Sequence, residues 1–141
     1  YASGQAGDRF CVRNSGALAI VEGCGANGCE YMTGGTAIIL GNIGDNFGAG
    51  MTGGSAFIYS DQKNLSEMIN KETIEIYNIE NNKWKDHLLN LLNDFHKETK
   101  SKRAEFIIEN YESEIRKFAH VVPDEVIDKL EFPVTKKSKI A

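Results

Sequence analysis

Three short apolar runs recur along the first sixty residues. They are Ser15-Gly16-Ala17-Leu18-Ala19-Ile20-Val21, Gly34-Gly35-Thr36-Ala37-Ile38-Ile39-Leu40 and Gly53-Gly54-Ser55-Ala56-Phe57-Ile58-Tyr59, and a shift of 19 residues superposes them. The linkers agree under the same shift. Met32-Thr33-Gly34-Gly35 falls on Met51-Thr52-Gly53-Gly54, Gly25 on Gly44 and Asn27 on Asn46, with Asp8 about one period further back. Each apolar run is rich in β-branched and aromatic residues, too short for a helix and bounded by glycine, which predicts a buried strand. Equivalent strands at a fixed period of this length stack as a parallel sheet. The repeated glycines are expected at the corners, where the chain turns sharply and a Cβ would meet the unit above. The reading is a mainly β fold: a right-handed parallel β-helix, single-stranded, of about 19-residue coils, followed by a C-terminal helical extension.

After Ser60 the pattern changes. Asn64 or Ser66 is placed to cap a short helix. Glu72-Thr73-Ile74-Glu75-Ile76-Tyr77 alternates and predicts a strand. From Trp84 the apolar positions Trp84, Leu88, Leu91, Leu92, Phe95 and His96 trace one helix face. Ser101 is a candidate cap for a second helix, with a face of Ala104, Ile107, Ile108, Tyr111, Ile115 and Phe118, and Pro123 closes the pattern. Lys136-Lys137-Ser138-Lys139 ends a polar tail expected to be mobile. The expected divisions are a β-helix core over 1–60, a strand and helix extension over 61–123 that packs on or caps it, and the tail over 124–141.

Composition sharpens that boundary. All 14 glycines lie between Gly4 and Gly54. Charge does the reverse: residues 1–60 carry only Asp8, Arg9, Arg13, Glu22, Glu30 and Asp45. The hydrophobic content of 41% suits a packed core, and a net charge of -4 gives no basic face for nucleic acid or an anionic membrane. No apolar run reaches the length of a membrane span. Tyr1-Ala2-Ser3-Gly4 has neither a charged region nor an apolar run behind it, so no secretory leader is expected. The three cysteines, Cys11, Cys24 and Cys29, are expected as small buried thiols in a reducing, cytoplasmic setting.

Candidate chemistry is sparse. Gly23-Cys24-Gly25-Ala26-Asn27-Gly28 spells G-x-G-x-x-G, but Cys29-Glu30-Tyr31-Met32-Thr33 cannot open the helix that a dinucleotide site needs at its last glycine. Three cysteines with no histidine nearby fall short of a zinc or cluster ligand set. Arg9, Arg13, Glu22 and Glu30 stand in a nearly uncharged region and are expected to form an Arg–Glu ladder between stacked units. The positions singled out are therefore structural: Gly16, Gly25, Gly34, Gly35, Gly44, Gly53 and Gly54, with Arg13, Glu22 and Glu30. No catalytic, cofactor or metal role is assigned to any residue.

Several segments resemble one family. Gly4-Gln5-Ala6-Gly7-Asp8-Arg9-Phe10, Val12-Arg13-Asn14-Ser15-Gly16-Ala17, Val21-Glu22-Gly23, Gly28-Cys29-Glu30-Tyr31-Met32-Thr33-Gly34-Gly35 and Asn46-Phe47-Gly48-Ala49-Gly50-Met51-Thr52-Gly53-Gly54 look like the C-terminal GXGXG domain of the glutamate synthase large subunit. His96-Lys97-Glu98-Thr99-Lys100-Ser101 is similar to that family's helix junction, with Lys100 where glycine is usual. Phe118-Ala119-His120-Val121-Val122-Pro123 resembles its closing segment. The resemblance implies a β-helix that scaffolds an enzyme making glutamate from glutamine and 2-oxoglutarate in ammonia assimilation. It implies amidotransferase and synthase domains as partners, with the FMN and iron–sulfur cluster held there, since Cys11, Cys24 and Cys29 do not match the family's cluster cysteines. Two other expectations stand beside it. One is a stand-alone β-helix within another oxidoreductase complex, of the kind found in formylmethanofuran dehydrogenase. The other is a truncated remnant without activity.

Overall fold

The computed structural model describes residues 1–2, 4–60, 64–130, 132 and 135–136. The three repeats form strands β1 (Ser15–Val21), β2 (Thr33–Ile39) and β3 (Gly53–Tyr59). They pair in parallel, with Ala19 opposite Ala37 and Ala37 opposite Ala56. Helix α1 (Leu65–Met68) and strand β4 (Ile74–Asn78) follow. Then come helices α2 (Asn82–Thr99), α3 (Lys102–Glu109) and α4 (Tyr111–Glu114), a 3-10 turn over Ile115–Lys117, and strands β5 (Phe118–Pro123) and β6 (Thr135–Lys136).

The expected β-helix is not the architecture. One six-stranded mixed sheet runs in the order β1-β2-β3-β5-β4-β6. Parallel stacking stops at β3, whose open edge is taken by β5 running antiparallel, with Tyr59 opposite Phe118. Strands β4 and β6 continue the sheet antiparallel on the far side of β5. The physical reason is that a parallel edge of unpaired N–H and C=O groups must be covered, and the second half covers it with strands of its own. The fold is therefore mixed α/β. The expectation of a mainly β solenoid with an appended helical extension is corrected accordingly, because the sheet itself crosses the compositional boundary near Ser60. The tail from Lys137 onward lies outside the described residues.

Both faces of the sheet are buried, which is why its central strands read as unbroken apolar runs. Ala37, Ile39, Ala56, Ile58, Ala119 and Val121 face one cluster, under the turns that link the parallel strands. Ile38, Leu40, Phe57 and Phe118 face the other, against Trp84, Leu88, Leu92 and Phe95 of α2 and Ala104 and Ile107 of α3. Asn81 caps α2 by accepting from the Lys83 N–H, so that helix begins before its first apolar residue. The long helix expected through Phe118 breaks instead at Asn110, and Phe118–Pro123 is a buried strand of the sheet. Among the described residues, no helix is long and apolar enough to cross a membrane.

The turns between strands are stacked as regularly as the strands. Asn27, Cys29 and Tyr31 have positive φ, and so do Asn46, Gly48 and Gly50 one repeat later and Arg9, Cys11 and Arg13 one repeat earlier. Such left-handed conformations cost non-glycine residues about 1–2 kcal/mol each, and they persist because each turn is bonded to the next. Asn27 N–H donates to Asp45 C=O, Tyr31 N–H to Ala49 C=O and Arg9 N–H to Ala26 C=O. Side chains add a ladder in which Asn70 Nδ2 donates to Asn46 Oδ1 at 2.9 Å and Asn46 Nδ2 to Asn27 Oδ1 at 3.0 Å.

Candidate functional site

A polar concavity lies where α3 meets the C-terminal ends of β1 and β2. It is a cleft of about 690 Å³ whose lining includes Glu22, Asn42, Ser60, Lys102, Arg103 and Lys117. Local folding sets its geometry. Lys100 ends α2 in the left-handed conformation (φ 58°), with its N–H donating to His96 C=O, so the chain reverses within two residues. Ser101 then caps α3, its Oγ accepting from the Ala104 N–H at 3.2 Å. The same hydroxyl donates to Glu22 Oε2 at 2.5 Å. Arg103 reaches the strand ends as well, donating to Leu40 C=O at 2.7 Å and to Glu22 C=O at 3.4 Å. These bonds latch the helices to the ends of two parallel strands.

A second carboxylate lies near the cleft wall. Glu114 is buried, accepts from Tyr59 Oη at 3.0 Å and pairs with Lys117 Nζ at 3.0 Å. Both carboxylates are thus held by hydroxyl groups within the chain, Glu22 by Ser101 and Glu114 by Tyr59. Charge-assisted bonds of this kind fix the relative placement of elements.

The charged positions expected to form a ladder do not meet. Among the described residues, no ion pair joins Arg9 or Arg13 to Glu22 or Glu30. Their columns are instead bonded through the backbone, as in Arg13 N–H to Glu30 C=O. Glu22 turns to Ser101, a partner 79 residues away that no local pattern announces. The glycines divide as well. Gly35 (φ 85°) and Gly54 (φ 75°) lie inside β2 and β3, not at corners between strands. The strand register shifts between Ser15 and Leu18 and again between Thr33 and Thr36, so Gly16, Gly34 and Gly35 mark bulges. A Cβ on Gly34 or Gly53 would strike the carbonyl of Ser15 or Thr33, and one on Gly25 or Gly44 would strike Asp8 or Ala26. A Cβ on Gly16 would meet open space. Gly28 opens no helix; residues 26–31 form turns that lead into β2.

Two further groups were not legible as sites. His120 is fully buried on β5, stacked on Phe57 at 4.2 Å and edged by Trp84 at 4.7 Å. Neither ring nitrogen has a hydrogen-bonding partner among the described residues. Burial, helped by His87, pushes its pKa down to about 3, so the ring is neutral. The three cysteines also converge. Cys24 and Cys29 belong to the core under the turns, and Cys11 packs against it. The Cys29 thiol beside it holds the Cys11 thiol below its ordinary value, while Cys29 is pushed well above. Burial takes Cys24 up to about 11. The signal for this convergence was the near-repeat spacing of Cys11 and Cys29. Among the described residues, no group of three or more His, Cys, Asp or Glu side chains is arranged to hold a metal ion.

The family model described as GXGXG motif matches residues 1–124. The chain is 51% identical over 134 residues to the glutamate synthase [NADPH] large chain of Azospirillum brasilense, covering 95% of this chain and 9% of that one. It is 41% identical over 139 residues to the glutamate synthase [NADH] of Schizosaccharomyces pombe, covering 99% and 7%. It is 40% identical over 123 residues to the ferredoxin-dependent glutamate synthase of Antithamnion sp., covering 87% and 8%. The chain therefore spans less than a tenth of the length of these relatives.

Proposed function

This chain belongs to the GXGXG motif family, and from that premise we propose that it is a non-catalytic structural domain of a glutamate synthase polypeptide. In this reading it links an amidotransferase domain, which releases ammonia from glutamine, to an FMN-binding synthase domain, which uses it to convert 2-oxoglutarate to glutamate. The observation that carries the reading is one of proportion. Relatives match 87% to 99% of this chain, yet it makes up only 7% to 9% of theirs. A segment of that size acts beside the domains that hold the chemistry.

The interior of the chain supports the same reading. Its buried carboxylate Glu114 and its buried hydroxyl Ser101 are committed to bonds that tie helices to strands. In this reading the flavin and the iron–sulfur cluster are held by the other domains, while Cys24 and Cys29 serve here as core residues with Cys11 packed against them. The cytoplasm is the compartment this chemistry implies.

The test is a tagged pull-down from the native cytoplasm, with the partner masses and absorbance spectrum of the eluate recorded. Flavin and iron–sulfur absorbance, together with amidotransferase and synthase sequence in the eluted polypeptides, is the expected result. A colourless chain eluting with neither would overturn the scaffold reading.

A further inference from the structure

We propose that Cys11 and Cys29 are a modification site, a stacked dithiol that closes to an intramolecular disulfide when the protein meets a peroxide.

The stacking comes from the backbone. Arg9 N–H donates to Ala26 C=O, Cys29 N–H to Phe10 C=O at 2.7 Å, and Arg13 N–H to Glu30 C=O. These three bonds bracket Cys11 and Cys29 and set one turn over the other. Both residues have the same left-handed backbone, with φ of 59° and 56°, so their Cβ atoms leave the chain in equivalent directions. Hydrogen-bonded neighbouring backbones run about 4.8 Å apart, within the roughly 4.4–6.8 Å window of Cα separations that a disulfide accepts. The two thiols already interact, with Cys11 the more acidic partner.

Cys24 is close, but it lies in another column. Ala6 N–H donates to Gly23 C=O and Gly25 N–H to Gly7 C=O on one side, while Cys24 N–H donates to Asn42 C=O on the other. Neither adjoining segment places a cysteine opposite it. Exposure divides the roles within the pair. Cys29 is fully buried, and Cys11 is only partly so. The oxidant therefore meets Cys11 first, and Cys29 is shielded from thiols of other molecules.

The chemistry balances with hydrogen peroxide as oxidant. The Cys11 thiolate attacks one peroxide oxygen, the O–O bond breaks, and hydroxide leaves and takes a proton to become water. Cys11 is then a sulfenic acid, oxidised by two electrons, which the peroxide has accepted. The Cys29 sulfur attacks the Cys11 sulfur, the S–S bond forms, the S–O bond breaks, and the departing hydroxide leaves as a second water with the thiol proton. A thiol reductant reverses the step. Closing the bond pins residues 1–13 to the turn beneath β2.

The experiment treats the purified chain with one equivalent of hydrogen peroxide and counts free thiols after unfolding. The three free cysteines should fall to one, with a mass loss of two hydrogen atoms and no dimer. Trypsin releases Phe10-Cys11-Val12-Arg13, which should travel with the peptide that begins at Asn14, and fragmentation should place the link at Cys29. Cys24→Ser should lose both of its remaining thiols, whereas Cys11→Ser should keep both. A link mapped to Cys24, a covalent dimer, or Cys11→Ser losing thiols as fast as the parent would overturn the assignment. Peptide mapping of the parent protein decides the matter even if a variant fails to fold.

Discussion

The glycine-rich half and the charged half share one sheet but are held in place by different physics. In the first half, position is fixed by the backbone: parallel register, turn-to-turn hydrogen bonds, and residues kept at positive φ in stacked columns. In the second, position is fixed by side chains: the apolar face of α2 against Phe57 and Leu40, the Ser101 hydroxyl on Glu22, and Tyr59 on Glu114. The first half should therefore punish a Cβ added where one repeat meets the next, as at Gly34, Gly53 or Gly54. The second should punish lost volume and lost side-chain polar groups.

The largest expected effect tests the backbone side. Gly54→Val places a β-branched residue at φ 75° and drives its Cβ against Gly35 and Gly34. It should cost roughly 3–5 kcal/mol, read as a lower urea midpoint or as loss of the folded chain. An unchanged midpoint would remove the argument for the first half. Leu92→Ala, which empties a fully buried site on α2, should cost about 3 kcal/mol in the same assay. A loss below that of an exposed control would break the argument for the second.

Acid reaches the boundary between the halves through His120. Its pKa is pushed down to about 3 from an ordinary 6.5, so the unfolded chain takes the proton first. Stability from this group is complete above pH 6.5 and falls as pH drops towards 3, by about 1.4 kcal/mol per unit well below 6.5. His120→Phe, which keeps the stack between Phe57 and Trp84, should flatten that part of the pH–stability curve. A slope unaffected by the change would mean the ring is not the responsible group. Ser101→Ala removes a helix cap and the donor to Glu22, and should cost about 1–2 kcal/mol. The smallest effect has the opposite sign. Lys100→Gly relieves a left-handed residue at the end of α2 and should stabilise by about 0.5–1 kcal/mol. A lowered melting temperature would show that the Lys100 side chain contributes more than its backbone costs.

The same contrast explains what could be read in the sequence. A 19-residue shift located β1, β2 and β3 because backbone stacking repeats, and Ile74 and Ile76 in alternation located β4. The α2 face was legible from Trp84 to Phe95, although its start was not, since Asn81 caps it before any apolar residue appears. What failed was inference about how the repeat ends. Phe118-Ala119-His120-Val121-Val122-Pro123 is buried on both faces, so it carries no alternation to mark it as the strand that covers β3. The Arg–Glu ladder failed for a related reason. Equal spacing puts residues in one column, but it does not aim their side chains at each other. The Glu22–Ser101 bond and the two-sided packing of His120 depend on contacts between distant segments, and only the folded chain shows them.

The pairing of Tyr59 with Phe118 also sets a timetable for the newborn chain. The ribosome delivers three parallel strands early, with the outer edge of β3 unmet. That edge waits until all of α2, α3 and α4 has been translated before β5 arrives. Contacts of such long separation make folding slow, and an open strand edge in the interval invites pairing with another chain. The glycine-rich segment alone presents an unpaired strand edge, and the length of the helices that follow sets how long it stays so.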